Sequence, residues 1–291
     1  MIELPLTVLF HEGPMGRAYL EMMRQCGVRP RAIVRMIPRA GPLGRILPRG
    51  PRAAGLARRR ERAANHWPRA LAAEHPGLAA EMTARIETAF ELEPGFLAAI
   101  RSGADLDRYC PDVRPAELDG FKDPAFLPLL GDLPPGLVLF TGGGILPAAV
   151  FGAEHLRLLH VHPGFLPHVR GADGILWSTL VRGRPGASAF IMEPGLDTGD
   201  LAAALETEPL SFDVPAGETP DDLTLYRMVF SYYDPVIRAH ALRQILPALE
   251  APDTLAARPQ DPAAGQTYHF MEPRTRRRAL GAIFNRNHDL P

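Results

Sequence analysis

The stretch LLHVHPGFLPHVRG, Leu158 to Gly171, decides how this chain is read. It continues an apolar run of strand type, LRLLHVH (Leu156 to His162), that stops at Pro163. Proline has no backbone N–H and holds its predecessor extended, so the ladder ends there. Alternate side chains of a strand point to one face, which makes His160 and His162 neighbours on the same side of a sheet. Three readings are open for such a pair: a metal site, a proton-transfer site, or two satisfied polar groups in a core strand.

The neighbouring segments supply the sheet. LTVLF (Leu6 to Phe10) is a strand, HEGPMG a turn, RAYLEMMRQCG a helix closed by Gly27, and RAIVRMI (Arg31 to Ile37) a second strand. Strand, turn, helix and strand form a βαβ opening, which implies a parallel sheet with right-handed crossovers. The GPMG fragment resembles a phosphate loop only loosely, and a plain tight turn is the better account. GLVLF (Gly136 to Phe140) is a further strand, followed by TGGGILPAAVF. GASAFIM (Gly186 to Met192) is another, and EPGLDTGDLAA leaves it as a loop. The expected fold class is α/β, a Rossmann-like open, mostly parallel sheet. In such sheets the ligand crevice lies beyond the carboxyl ends of the strands. The glycines after Phe140, the histidines of the central strand and Asp197 of the DTGD loop all fall there.

Residues 41–112 break the pattern. They are rich in Arg and Ala, interrupted by Pro, and read as short helices inserted after the second strand. Arg45, Arg49, Arg52, Arg58, Arg59, Arg60 and Arg62 gather positive charge in this insert. A solvated helix face is the ordinary account and a phosphate-binding patch the sharper one. No aromatic residues interleave with these arginines, which argues against single-stranded nucleic acid. Further on, DDLTLYRMVFSYYDPVIRAHALRQILPAL is helical and interrupted near Pro235. RPQDPAAGQTYHF is a small polar piece and PRTRRRALGAIF a basic helix. The expected organisation is an α/β domain over 1–205, carrying the 41–112 insert, and a C-terminal helical extension with a small polar segment over 206–291.

Composition excludes several classes. The 291 residues are 46% hydrophobic and 22% charged with a net charge of −1, the values of an ordinary globular chain. No basic excess points to nucleic acid. Cys26 and Cys110 lie far apart, match no metal or redox spacing, and fit a reducing compartment. MIELPLTVLF has an acid where a signal peptide needs basic residues. No apolar run is long enough to span a membrane, and a cytoplasmic location is expected. An H-x-H pair with a carboxylate can ligate zinc or iron. Here His155 precedes the strand and His168 lies beyond two turns, with no HExxH helix or cysteine cluster beside them. A metal-dependent enzyme using His160 and His162 is therefore the weakest of the readings, and no metal is expected.

In order along the chain stand HPGFLP, VRG, GASAF and LDTGD. This succession resembles the formyltransferase family, whose pattern runs N-x-H-P-S-L-L-P, R-G, G-x-T-x-H and a D-x-G loop. TGGGILP is similar to that family's folate-binding loop, and RPQDPAAGQTYH to a Q-x-x-x-x-G-x-T-Y segment. The resemblance extends from about Gly136 to Tyr268 and does not account for the insert.

It implies a chemistry. Formyl transfer from 10-formyltetrahydrofolate to an amine needs a proton acceptor for the amine and donors for the developing oxyanion. By resemblance His162 takes the family's histidine position and, titrating near ~6.5 when unperturbed, can exchange protons at neutral pH. Asp197 takes the aspartate position and orients or charge-stabilises the imidazole. The pterin would be held by Gly142, Gly143, Gly144, Ile145 and Leu146 and by Glu193, Pro194, Gly195 and Leu196. Gly164, Arg170 and Gly171 would lie on the acceptor side. Two positions depart from the pattern. His160 replaces the asparagine that offers an N–H to the formyl oxygen, and Gly164 replaces a serine, opening space beside the pocket. The expected acceptor is a small-molecule amine, such as the amino group of a nucleotide-linked sugar. Transfer RNA is disfavoured because few residues follow the helix that ends near Leu249. Hydrolysis of 10-formyltetrahydrofolate and a non-catalytic folate-binding or regulatory role are the alternatives. The pattern leaves assembly open, a homodimer included.

Overall fold

A computed structural model describes residues 1–38, 66–103, 105–251 and 255–285. The chain opens with β1 (Ile2–His11), α1 (Pro14–Gln25) and β2 (Val28–Pro38). Three helices follow, α2 (His66–Glu74), α3 (Pro76–Ala89) and α4 (Phe96–Ser102), and lead to β3 (Val113–Leu118). Next come α5 (Phe126–Gly131), β4 (Gly136–Phe140), β5 (Leu156–His162), β6 (Val169–Gly171) and α6 (Gly174–Arg182). β7 (Gly186–Ile191) and β8 (Leu201–Glu206) complete the main sheet.

The sheet has seven strands in the order β3-β2-β1-β4-β5-β7-β8. The first five in sequence run parallel, while β7 is antiparallel to both β5 and β8. The fold is thus α/β with a mostly parallel sheet. From β1 the chain builds outward through β2 and β3, then returns to build the other way through β4 and β5. The order therefore reverses between β1 and β4, and an open α/β sheet places its crevice at such a reversal.

Alternation sets what each face buries. Leu4, Leu6, Val8 and Phe10 of β1 pack against Ala18, Tyr19, Leu20, Met22 and Met23 of α1. Leu9, Val34, Met36, Val138, Phe140 and Leu158 form the core on the opposite face. On β5, Leu159 and Val161 belong to the first core. His160 and His162 therefore share the second face with Leu158. Pro14 starts α1, where its missing N–H costs no helix bond. A Cβ on Gly16 would lie 2.7 Å from the His11 carbonyl oxygen, so this glycine serves close packing of helix on strand. That is the tight-turn account of GPMG.

Two strands of the main sheet escaped the sequence pattern. β3, VRPAEL, is an edge strand whose residues are mostly exposed, and LAAALE of β8 lies at the other edge and is only half-buried. Edge strands need not show a strong apolar alternation, because one margin has no partner. The described helices of 66–103 join β2 to β3, which makes this region the crossover between neighbouring strands. The seven arginines of the insert lie outside the described residues.

The C-terminal part adds β9 (Phe212–Asp213), α7 (Asp222–Met228), α8 (Asp234–Arg243), β10 (Gln266–Tyr268), α9 (Pro273–Gly281) and β11 (Phe284–Asn285). A π-helical turn, Val229–Tyr233, links α7 to α8 without a break. Pro235 cannot donate to a carbonyl in the preceding turn, and the wider turn accommodates it. Leu225, Tyr232, Ile237, Leu280 and Phe284 share one apolar cluster with Leu4 and Leu6, so the first and last segments bury a common core. Among the described residues no helix is long and apolar enough to cross a membrane.

Candidate active site

β5 ends at His162, whose side chain is 3% exposed. Its Nε2 lies 2.9 Å from the Val169 carbonyl oxygen, and its Nδ1 faces Asp197 Oδ2 at 3.4 Å. A carbonyl oxygen only accepts, so Nε2 carries a proton. The Nδ1–Oδ2 approach is an electrostatic contact, longer than a normal hydrogen bond. Burial pulls the His162 pKa below its ordinary value, and the Asp197 charge opposes that pull. The pocket for this ring is set by Gly164. A Cβ there would come within 2.6 Å of the Val169 oxygen and 2.7 Å of His162 Nε2. The expectation that Gly164 opens space is corrected: its missing side chain leaves room for the His162 hydrogen bond and no more. Ser188, the partner of His162 across β7, holds the following turn. Its Oγ donates to Gly164 O at 2.8 Å and accepts from Leu166 N at 2.9 Å.

Asp197 reaches the imidazole from a backbone of φ 56°, in the left-handed region that non-glycine residues rarely adopt. The surrounding contacts over-determine it. Gln260 Nε2 donates to the carbonyls of Asp197 at 2.9 Å and Gly199 at 2.7 Å. A Cβ on Gly199 would sit 1.7 Å from the Ile191 oxygen. Gly171 N donates to Asp197 Oδ2 at 2.8 Å. Gly171 itself has φ 93° and passes so close to Tyr268 that a Cβ would be 2.1 Å from its carbonyl oxygen. β10 pairs with β6 in the register Gln266↔Val169, Thr267↔Arg170 and Tyr268↔Gly171. The segment RPQDPAAGQTY thus clamps the carboxylate twice, through Gln260 on its backbone and through β10 behind Gly171. Its role was hidden because its contacts are made between segments remote in sequence.

Above the pair lies a cleft of 310 Å³, lined by Gly144, Ile145, Leu146, Ala148, Phe151, Phe190, Met192, Glu193, Pro194, Gly195, Leu196 and Asp197. Seven of the residues expected to hold a pterin are among these walls, and Glu193 and Asp197 are its ionisable residues, Glu193 exposed and Asp197 partly buried. The order from cleft to core is Asp197, His162, Val169 carbonyl. Ile145 and Leu196 are 78% and 42% exposed and form apolar lips. Gly142 is buried instead beneath the lining. A Cβ there would meet Phe140 at 2.6 Å and His11 at 2.9 Å, which explains the glycine by packing against two rings. Gly143 is exposed, with nothing within 4 Å of a Cβ.

His160 sits one turn of the pleat below His162. Its Nδ1 lies 3.0 Å from the Phe140 carbonyl, and its ring is flanked by Phe140 and by Phe190 at 5.7 and 5.9 Å between centroids. Burial, first of all, and then Arg238 push its pKa down to about 3. His11, at the end of β1, was not singled out by its sequence. It packs edge-on to Phe121 and Phe140, and burial lowers its pKa to about 4. Thr141 joins the two strand ends, its Oγ1 accepting from His11 N at 2.8 Å and donating to Leu9 O at 3.1 Å. Arg170 is buried, and its guanidinium donates to Asp261 O at 3.2 Å. It fastens the C-terminal segment. His168 stacks on Phe165 with ring centroids 5.7 Å apart, away from the pair. Among the described residues no group of three or more His, Cys, Asp and Glu side chains is placed to hold a metal ion.

No protein-family model matches the chain. Its curated relatives include the methionyl-tRNA formyltransferase of Syntrophus aciditrophicus, 44% identical over 91 residues, which are 30% of this chain and 29% of that one. The methionyl-tRNA formyltransferase of Ruminiclostridium cellulolyticum is 30% identical over 154 residues, 52% of this chain and 44% of that one. The match therefore spans less than half the length of either relative. Among solved structures, the match to a 4-N formyltransferase from Francisella tularensis covers 92% of this chain and 76% of that one at a TM-score of 0.43 and 11% identity. Over part of its length, then, the chain is similar in sequence to methionyl-tRNA formyltransferases.

Proposed function

We propose that this protein transfers a formyl group from 10-formyltetrahydrofolate to a primary amine of a small molecule. The observation that carries this reading is the Asp197–His162 pair, set at the inner end of a cleft walled by two loops. The residues present suit a flat bicyclic ring with polar edges. Ile145, Leu146, Phe151, Phe190, Met192 and Leu196 offer apolar faces, and the backbones of 144–146 and 193–195 border the same space.

Bound there, the folate supplies the formyl group. In the transfer the donor's N–C bond breaks and a new N–C bond forms to the amine, which loses one proton while the donor nitrogen gains one. Asp197 is placed to exchange that proton with the cleft. His162, behind it, faces the carboxylate through Nδ1, while the Val169 carbonyl fixes the ring through Nε2. Gly171 N keeps Oδ2 oriented during the exchange. General acid–base groups so placed contribute roughly 10²- to 10⁴-fold to a rate.

The acceptor class is drawn from the family resemblance and from the absence of any net basic excess in the chain. Incubating the full chain with 10-formyltetrahydrofolate and following tetrahydrofolate release tests the reading. Release that requires an amine supports transfer, release to water alone replaces it with hydrolysis, and no release in either case removes both.

A further inference from the structure

Position 160 is where the site departs from the asparagine of the motif, and the geometry fixes what the new side chain can offer. A carbonyl oxygen has no hydrogen to give, so the Nδ1 lying 3.0 Å from Phe140 O carries the ring proton. A neutral imidazole has a single N–H, which leaves Nε2 as an acceptor. Burial, the Arg238 charge and the nearby His162 all hold the ring in its neutral form. Among the described residues Nε2 has no hydrogen-bond partner, and the residue keeps 9% exposure against 3% for His162. Its Cα partner across the sheet is Phe190, a wall of the cleft. At His162, by contrast, Nε2 is bonded to the Val169 carbonyl and Nδ1 is turned to the Asp197 carboxylate. The ring nitrogen of this pair that meets no protein group among the described residues is therefore Nε2 of His160.

We propose that His160 Nε2 accepts a hydrogen bond from an N–H of the attacking primary amine, so that position 160 orients the nucleophile where the motif asparagine would donate to the formyl oxygen. The inference rests on the formyl-transfer reading above. Taking one N–H fixes the direction of the amine's lone pair, which is the orbital that must meet the formyl carbon. Position 160 then contributes no donor to the oxygen of the formyl group.

The test has one arm that needs no activity. In the full chain labelled with 15N-histidine, His160 is expected as the Nδ1–H tautomer and neutral from pH 8 to pH 5. An Nε2–H tautomer, or protonation within that range, overturns the proposal while leaving formyl transfer untouched. The second arm is kinetic. His160→Phe keeps a ring between Phe140 and Phe190 but removes the acceptor. It is expected to lower kcat/KM for the amine about tenfold, the loss of one hydrogen bond to the nucleophile, with KM for 10-formyltetrahydrofolate unchanged. Unchanged amine kinetics overturn the role. A native chain that transfers no formyl group to any amine overturns the reading beneath it, and with it the amine as the partner of Nε2.

Discussion

β5 carries a buried polar cluster on each of its faces, and they are built to opposite ends. On one face, Arg238 donates through Nε to Tyr19 OH at 3.0 Å and through Nη2 to Val161 O at 2.6 Å, and lies 3.5 Å from Asp234 Oδ2. This guanidinium is spent on fixed partners, tying α8 to α1 and to the middle of the sheet. On the other face, His160 Nε2 has no partner among the described residues, and the His162–Asp197 contact stretches to 3.4 Å. A guanidinium with its partners in place specifies structure, whereas the histidine face borders the cleft through Asp197 and Phe190. The Arg238 cluster is therefore expected to govern stability and the histidine face to govern turnover.

The strongest way to break this contrast is Arg238→Met. It strands Asp234, whose pKa burial already raises, without its counter-charge. A loss of about 3–5 kcal/mol in denaturant unfolding is expected, as for other broken buried pairs. A loss below about 1 kcal/mol would show that the cluster does not hold the sheet to α8. On the other face, Asp197→Asn and His162→Ala should each cut turnover by roughly 10²- to 10⁴-fold with the fold retained by circular dichroism. Near-native turnover in either would dissolve the division of labour.

A third prediction concerns acid. His160 and His11 stay neutral in the fold down to about 3 and about 4, against an ordinary 6.5. Between those values and 6.5 the unfolded chain binds more protons, so their contribution to stability is whole above 6.5 and is lost as pH falls toward 4 and then 3. Urea midpoints should drop from pH 7 to pH 5, with a shallower drop in His160→Phe. A midpoint that does not change over that interval would count against buried neutral rings. The smallest effect is expected at the lips of the cleft. Ile145→Ala should raise KM for 10-formyltetrahydrofolate several-fold, by about 1 kcal/mol of lost apolar contact, with kcat unchanged.

How much of this was legible in the sequence depends on how local the signal is. The βαβ opening, β4, β5 and β7 were read from apolar runs, because central strands buried on both faces are written as such runs whether parallel, as the first ones are, or antiparallel, as β7 is. VRPAEL and LAAALE were not, since edge strands carry a weak pattern. His160, His162 and Asp197 were found from a strand ending in proline and a DTGD loop. Gln260 showed only as the first residue of the Q-x-x-x-x-G-x-T-Y segment, without its role, and nothing local announced Ser188 or His11, because the partners of all three lie far away along the chain. Gly164 was noticed and its purpose misjudged, because only the folded site shows that the Val169 carbonyl and the His162 ring already occupy the space a side chain would need.

The most direct test of the central claim compares the native chain with Asp197→Asn, following tetrahydrofolate released from 10-formyltetrahydrofolate with and without a primary amine. The account predicts amine-dependent release by the native chain and its loss in the variant. Release that proceeds equally in both proteins, or that never occurs in the native chain, would contradict it.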